Sequence, residues 1–115
     1  MSLDGKIGRL ATQEKTIVTG DHPPVLLSAS LPTGAGVWPA GTILWRPGTG
    51  YLLRWDGQNG NPMGVLIDDV DTNTFGSAVY LAHGTVNAKE LKLTLGDVPT
   101  PEELYRLAEA GIYAV

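Results

Sequence analysis

GTILWRPGTGYLLRWDGQNGNPMGVLIDDVDT, residues 41–72, holds three short apolar runs set apart by turns rich in glycine and proline. Thr42-Ile43-Leu44-Trp45-Arg46 reads as a short apolar strand, and Pro47-Gly48-Thr49-Gly50 as the turn that ends it. Tyr51-Leu52-Leu53-Arg54-Trp55 reads as a second strand. Alternation along a strand puts Tyr51, Leu53 and Trp55 on one face and Leu52 and Arg54 on the other. Asp56-Gly57 and the following Gln58-Asn59-Gly60-Asn61 are turn chemistry, because Gly and Asn tolerate the positive φ of tight connections. Met63, Val65 and Ile67 repeat the alternation in a third strand. Apolar residues fall on both faces of the unit. The sheet is therefore expected either to be covered on both sides or to bury one face against another subunit.

Working outward, Pro23-Pro24 makes a stiff joint before the unit, and residues 25–31 read as a strand with Val25, Leu27 and Ala29 on one face. Trp38 lies in a loop between glycines and a proline; it reads as a plug at the core edge, with an interface contact as the alternative. Downstream, Ala78-Val79-Tyr80-Leu81-Ala82-His83 reads as a strand ended by Gly84, with His83 in phase with Val79 and Leu81 and so half-buried. Leu91, Leu93 and Leu95 alternate in a further strand. The one helix comes late. Thr100 is an N-cap, Pro101 the first helical residue, Glu103 the capping-box partner and Gly111 the stop. Leu104, Leu107 and Ala108 form its apolar stripe, and Ile112-Tyr113-Ala114-Val115 reads as a last short strand docked into a sheet.

Composition agrees with this pattern and excludes several function classes. A chain of 115 residues with 43% hydrophobic and 17% charged content is one globular domain, and 15 glycines with 8 prolines favour turns and short strands over long helices. Cysteine is absent, which removes disulfides and thiolate metal sites. A net charge of -4 argues against a nucleic-acid surface. No apolar run is long enough to span a bilayer, and no signal segment opens the chain, so neither membrane nor export is expected.

The residues that could carry chemistry do not assemble into a reaction centre. Asp68, Asp69 and Asp71 are three carboxylates in four residues, but the calcium-loop template needs Gly and Glu where Asn73 and Val79 stand. Carboxylates on one loop also lack the separation across a cleft that glycoside hydrolysis requires. The cluster reads as a solvated loop. Two histidines, His22 and His83, are too few for a histidine metal site, and no nucleophile elbow, phosphate loop or dinucleotide fingerprint is present. The expectation is a protein that is not an enzyme and takes no metal or cofactor.

Residues 1–20 differ from the remainder. Lys6, Arg9 and Lys15 are three of the eight basic residues, and Ile7, Leu10, Ile17 and Val18 are too sparse for a core. The segment reads either as a frayed terminus, the commoner case, or as an extended arm ordered by a partner, with Thr16-Ile17-Val18 suited to strand addition at a sheet edge.

In this order the parts resemble the head decoration proteins of tailed phages, the family of the small lambda-type capsid-stabilising protein. The resemblance rests on Arg54-Trp55-Asp56-Gly57, then Gly64-Val65-Leu66-Ile67, the 78–81 strand with Gly84-Thr85, the short acidic helix, and Ala110-Gly111-Ile112-Tyr113-Ala114-Val115. It covers about residues 40–115; the aromatic-bearing 25–45 region and the helix sequence depart from it. It implies a non-enzymatic virion protein on the outer surface of the capsid, made in the host cytoplasm. It further implies a homotrimer that binds the major capsid protein at threefold and quasi-threefold positions of the expanded head. Ile7, Leu10, Thr16, Ile17 and Val18 are then candidate anchors of a capsid-binding arm. Trp38, Trp45, Trp55 and Tyr80 are candidate trimer or capsid contacts. The fold class expected is α+β, mostly β: residues 1–20 an extended arm, residues 21–115 one β-rich domain with a short C-terminal helix. The competing reading is a binding module in which Trp38 and Trp45 stack on a sugar or peptide.

Overall fold

A computed structural model describes residues 24–48, 50–94 and 96–115. Eight strands and one α-helix follow one another as β1 (Val25–Ser30), β2 (Val37–Trp38), β3 (Ile43–Trp45), β4 (Leu53–Arg54), β5 (Pro62–Leu66), β6 (Val70–Asp71), β7 (Ser77–Val86), α1 (Pro101–Glu109) and β8 (Ile112–Ala114). The fold is mostly β, with a six-stranded sheet whose main path runs β1-β7-β5-β3-β4. Neighbours on that path are antiparallel, whereas β8 joins the far end of β7 in parallel, Gly84 opposite Ile112 and Val86 opposite Ala114. β2 and β6 form a separate two-stranded ribbon.

The sheet is covered on both faces by its own chain. Adjacent residues of β3, β5 and β7 point opposite ways, as the pleat requires. Ile43, Val65 and Leu81 therefore enter one cluster with Trp55, Leu91, Leu107 and Ile112, under the helix. Leu44, Leu66 and Tyr80 enter a second cluster with Leu31, Trp38, Leu52 and Val70, under the β2–β6 ribbon. Ile43, Leu44, Leu52, Val65 and Leu66 are all completely buried in the isolated chain. Burial of each such side chain contributes about 1.5–3 kcal/mol. Of the two causes open for the doubly apolar central unit, coverage by the chain's own elements is the one observed.

Five local readings need correction. Trp38 sits in the two-residue strand β2 and not in a loop, and β7 runs through Gly84 to Val86 instead of ending there. The 51–55 stretch pairs as a strand only at Leu53 and Arg54; Tyr51 is exposed, Leu53 packs beside Leu52, and Trp55 enters the opposite cluster. Leu52 N–H donates to Ser30 and Trp55 N–H to Ile43, so this backbone serves two different neighbours and keeps no single phase. Leu91 and Leu93 do share one cluster, but they follow a 3₁₀ turn (Ala88–Glu90) and meet the sheet through an isolated bridge between Thr42 and Lys92 and through Thr94 on the Arg54 carbonyl, without forming a strand; Leu95 lies outside the described residues. His83 is exposed, not half-buried. Val25 faces His83 while Leu26 faces Leu81, so β7 carries one extra residue there, and the phase set by Leu81 does not continue to His83.

The C-terminal helix matches the sequence reading at both ends. Thr100 Oγ1 accepts from Glu103 N–H at 3.3 Å, and Glu103 Oε1 accepts from Thr100 N–H at 2.7 Å. Pro101 opens the helix and Gly111, at φ +92, follows its last turn.

Candidate functional site

The turn at residues 55–61 is densely hydrogen-bonded. Asp56 Oδ1 accepts from Gln58 N–H and Asn59 N–H, both at 2.8 Å, and Asp56 Oδ2 accepts from Asn59 Nδ2 at 2.7 Å. The backbone N–H of Asn59 first, then that of Gln58, holds the Asp56 carboxyl below its ordinary range by favouring the charged form. Trp55 Nε1 donates to the Asn59 carbonyl at 2.9 Å. The helix closes the arrangement from above. Arg106 lies 5.0 Å over the Trp55 ring, donates to the Gln58 carbonyl at 3.2 Å, and donates to the Gly60 carbonyl and to Asn61 Oδ1. Position 57 favours glycine, because its φ of +89 strains any other side chain and a Cβ there would also stand 2.0 Å from Glu103 Oε2. The turn and the helix are thereby packed against each other.

The acidic corner at residues 68–74 is built the same way. Asp69 Oδ1 accepts from Ala40 N–H at 2.7 Å, Asp71 Oδ1 from Asn73 N–H at 2.9 Å, and Asp68 Oδ1 from Asp69 N–H at 2.8 Å. Thr72 Oγ1 accepts from Ala35 N–H and donates to the Gly36 carbonyl at 2.6 Å, which fastens the corner to the loop before β2. Each of these carboxylates caps backbone donors, and among the described residues no group of three or more His, Asp or Glu could hold a metal ion. Beside the corner, a surface cavity of about 210 Å³ opens between it and the start of β7, lined by Ile67, Val70, Phe75 and Val79 with Asp68 and Asp69.

The residues expected to make contacts separate clearly. Trp55 is completely buried, Trp38 is 2% exposed and Tyr80 4%. Trp38 fills the second cluster, with Arg54 5.4 Å over its ring, so its plug role is the one seen. Trp45 is half-buried and packs on Gly60, where a Cβ would lie 2.1 Å from its ring. Buried rings offer a partner almost no area, so Trp38, Trp55 and Tyr80 supply little contact surface as the chain stands, and Trp45 alone of the four keeps part of its surface exposed. The arm candidates Ile7, Leu10, Thr16, Ile17 and Val18 lie outside the described residues. Apolar surface is instead presented by Val37, Phe75, Val98, Tyr105 and Val115, each at least 60% exposed. Sequence reasoning missed Arg106, whose role depends on a turn 46 residues away. It also missed Phe75, though the chain's one phenylalanine set among Asn73, Thr74 and Gly76 was a readable sign of an exposed ring.

Comparison with models of known protein families and with curated protein sequences returns no match to this chain.

Proposed function

We propose that this chain is a capsid decoration protein of the lambda type: a homotrimer that binds the outside of an expanded phage head and stabilises it against internal DNA pressure. The observation that supports the reading most is where its kinship-bearing residues go. Trp55 lies under Arg106 and Gly57 against Glu103 of the helix, Asp56 holds the turn between them, and Gly111 with Ile112 returns the chain to β7. Motifs scattered over 60 residues thus form one packed unit, which gives their order a structural reason. The carboxylates at 56, 68, 69 and 71 are spent on backbone capping, in keeping with a structural role.

A ligand that binds only the expanded shell stabilises it by mass action, and three arms on one trimer add avidity. Trimer contacts in this reading fall to exposed apolar residues such as Val37, Val98 and Tyr105. The binding-module alternative loses one of its stacking residues, because the Trp38 ring is enclosed. Analytical ultracentrifugation and co-sedimentation with expanded, undecorated shells test the proposal. The expected result is a trimer, or a monomer that trimerises on shells, pelleting with them at saturable stoichiometry. A protein that stays in the supernatant at every concentration overturns it.

A further inference from the structure

We propose that the cavity beside the acidic corner is a seat for the Lys6–Leu10 stretch of the same chain. The floor is apolar, from Ile67 and Val70, which are nearly buried. The walls carry Phe75 at 60% exposure and Val79 at 44%, apolar surface left in water at a concave place they share. Asp68 and Asp69 line the same cavity, so a fitting occupant carries an aliphatic side chain beside a cation.

The chain itself contains that pattern. Lys6-Ile7 and Arg9-Leu10 each place a basic residue directly before an aliphatic one. Charge is divided in the same sense: residues 1–20 hold three basic and two acidic side chains, whereas residues 21–115 hold five basic and ten acidic ones, +1 against -5. Two of those five, Arg54 and Arg106, are already stacked on tryptophans, and Lys92 donates to the Ala40 and Glu90 carbonyls. The folded body is therefore acidic and the N-terminal stretch is its natural counter-charge.

Reach is sufficient. Pro24 lies beside Gly84, and β1 runs from there to Ser30, which pairs with Ser77 at the cavity. A strand of six residues covers roughly 20 Å. The fourteen residue-to-residue steps from Leu10 to Pro24 can span about 45–50 Å. The seat stands on this geometry; its consequence rests on the capsid reading. A seated arm is withheld from the shell, and shell binding draws on the fraction of chains whose arm is released.

The absence of cysteine makes the test direct. The full chain carrying Leu10→Cys and Val79→Cys is oxidised mildly beside a control carrying Leu10→Cys and Tyr105→Cys, Tyr105 being an exposed helix residue. The expected result is an intramolecular disulfide forming about tenfold faster in the first pair, an effective-concentration advantage that shrinks as salt screens Lys6 and Arg9. Asp68→Lys in the first pair is expected to slow closure several-fold. Equal rates in the two pairs, or disulfides only between chains, overturn the proposal. Should Val79→Cys fail to fold, Ser77→Cys, exposed at the same cavity, replaces it. The seat is judged on the disulfide and the decoration role on shell binding by the unaltered chain, so the two fail separately.

Discussion

Arg106 and Asp56 hold the two ends of the same turn by different means, and each makes a distinct prediction. Arg106 combines a planar stack on Trp55 with donors to three acceptors of the turn, a combination that the point charge of lysine cannot reproduce. Arg106→Ala is expected to lower stability by about 1.5–3 kcal/mol in urea unfolding, the range for hydrogen bonds to charged groups. Arg106→Lys should restore less than half of that; a full rescue by lysine would mean that charge alone matters. Asp56 acts as an acceptor, and its depressed folded-state pKa fixes the sign of the pH effect. A carboxyl that ionises more readily in the folded chain stabilises it wherever the unfolded chain is also ionised. That contribution is lost as pH falls through the folded-state value. The stability gap between wild type and Asp56→Asn should accordingly hold steady at neutral pH and close below the ordinary carboxylate range. The carboxylate is exposed, so the gap is small; a gap that widens toward acid contradicts the assignment.

Among the elements, the helix and β5 show what is local and what is not. The helix boundaries are encoded within a few residues: Thr100, Pro101 and Glu103 form a complete capping box and Gly111 supplies the positive φ of the stop. Thr100→Ala should therefore cost about 1 kcal/mol, read from the shift of the denaturation midpoint at unchanged slope. β5 depends on its partner. A Cβ at Gly64 would stand 2.4 Å from the Tyr80 ring and 3.3 Å from the Leu81 carbonyl, so the strand fits only because position 64 is empty. Gly64→Ala should destabilise by about 1–3 kcal/mol through overpacking, with Tyr80→Leu in the same chain relieving most of it. This contrast explains what was legible. Caps and turns act over three or four residues, so Thr100, Asp56-Gly57 and Gly111 were readable directly. Strand extent depends on distant pairing: Leu53 and Arg54 became a strand because β3 lies beside them, and the extra residue on β7 that exposes His83 arises only against β1.

For the molecule as a whole, the two-sided core was legible as a possibility from the apolar faces of residues 41–72, while its cause was not. Deciding it required knowing that the helix covers one face and the β2–β6 ribbon the other, an outcome of chain topology. The same gap bears on the contact candidates: Trp38, read first as a core plug, is enclosed as that reading expects, and Tyr80 is enclosed beside it. Among the described residues, both core clusters, with the side chains packed against them, draw on positions 26–114. The capsid reading assigns residues 1–20 to attachment, and that division yields the last prediction. Removing residues 1–20 should leave the thermal midpoint within about 4 °C of the full chain, a change of under ~1 kcal/mol for a domain of this size. The same deletion should abolish pelleting with expanded shells, since the proposed anchors Ile7, Leu10, Ile17 and Val18 go with it. A drop of roughly 10 °C or more would place the segment within the folding unit, because only contacts of about 2 kcal/mol move the midpoint that far. Retained shell binding at an unchanged midpoint would move the attachment surface to the exposed apolar residues of the body, with Val37, Val98 and Tyr105 as the first positions to substitute.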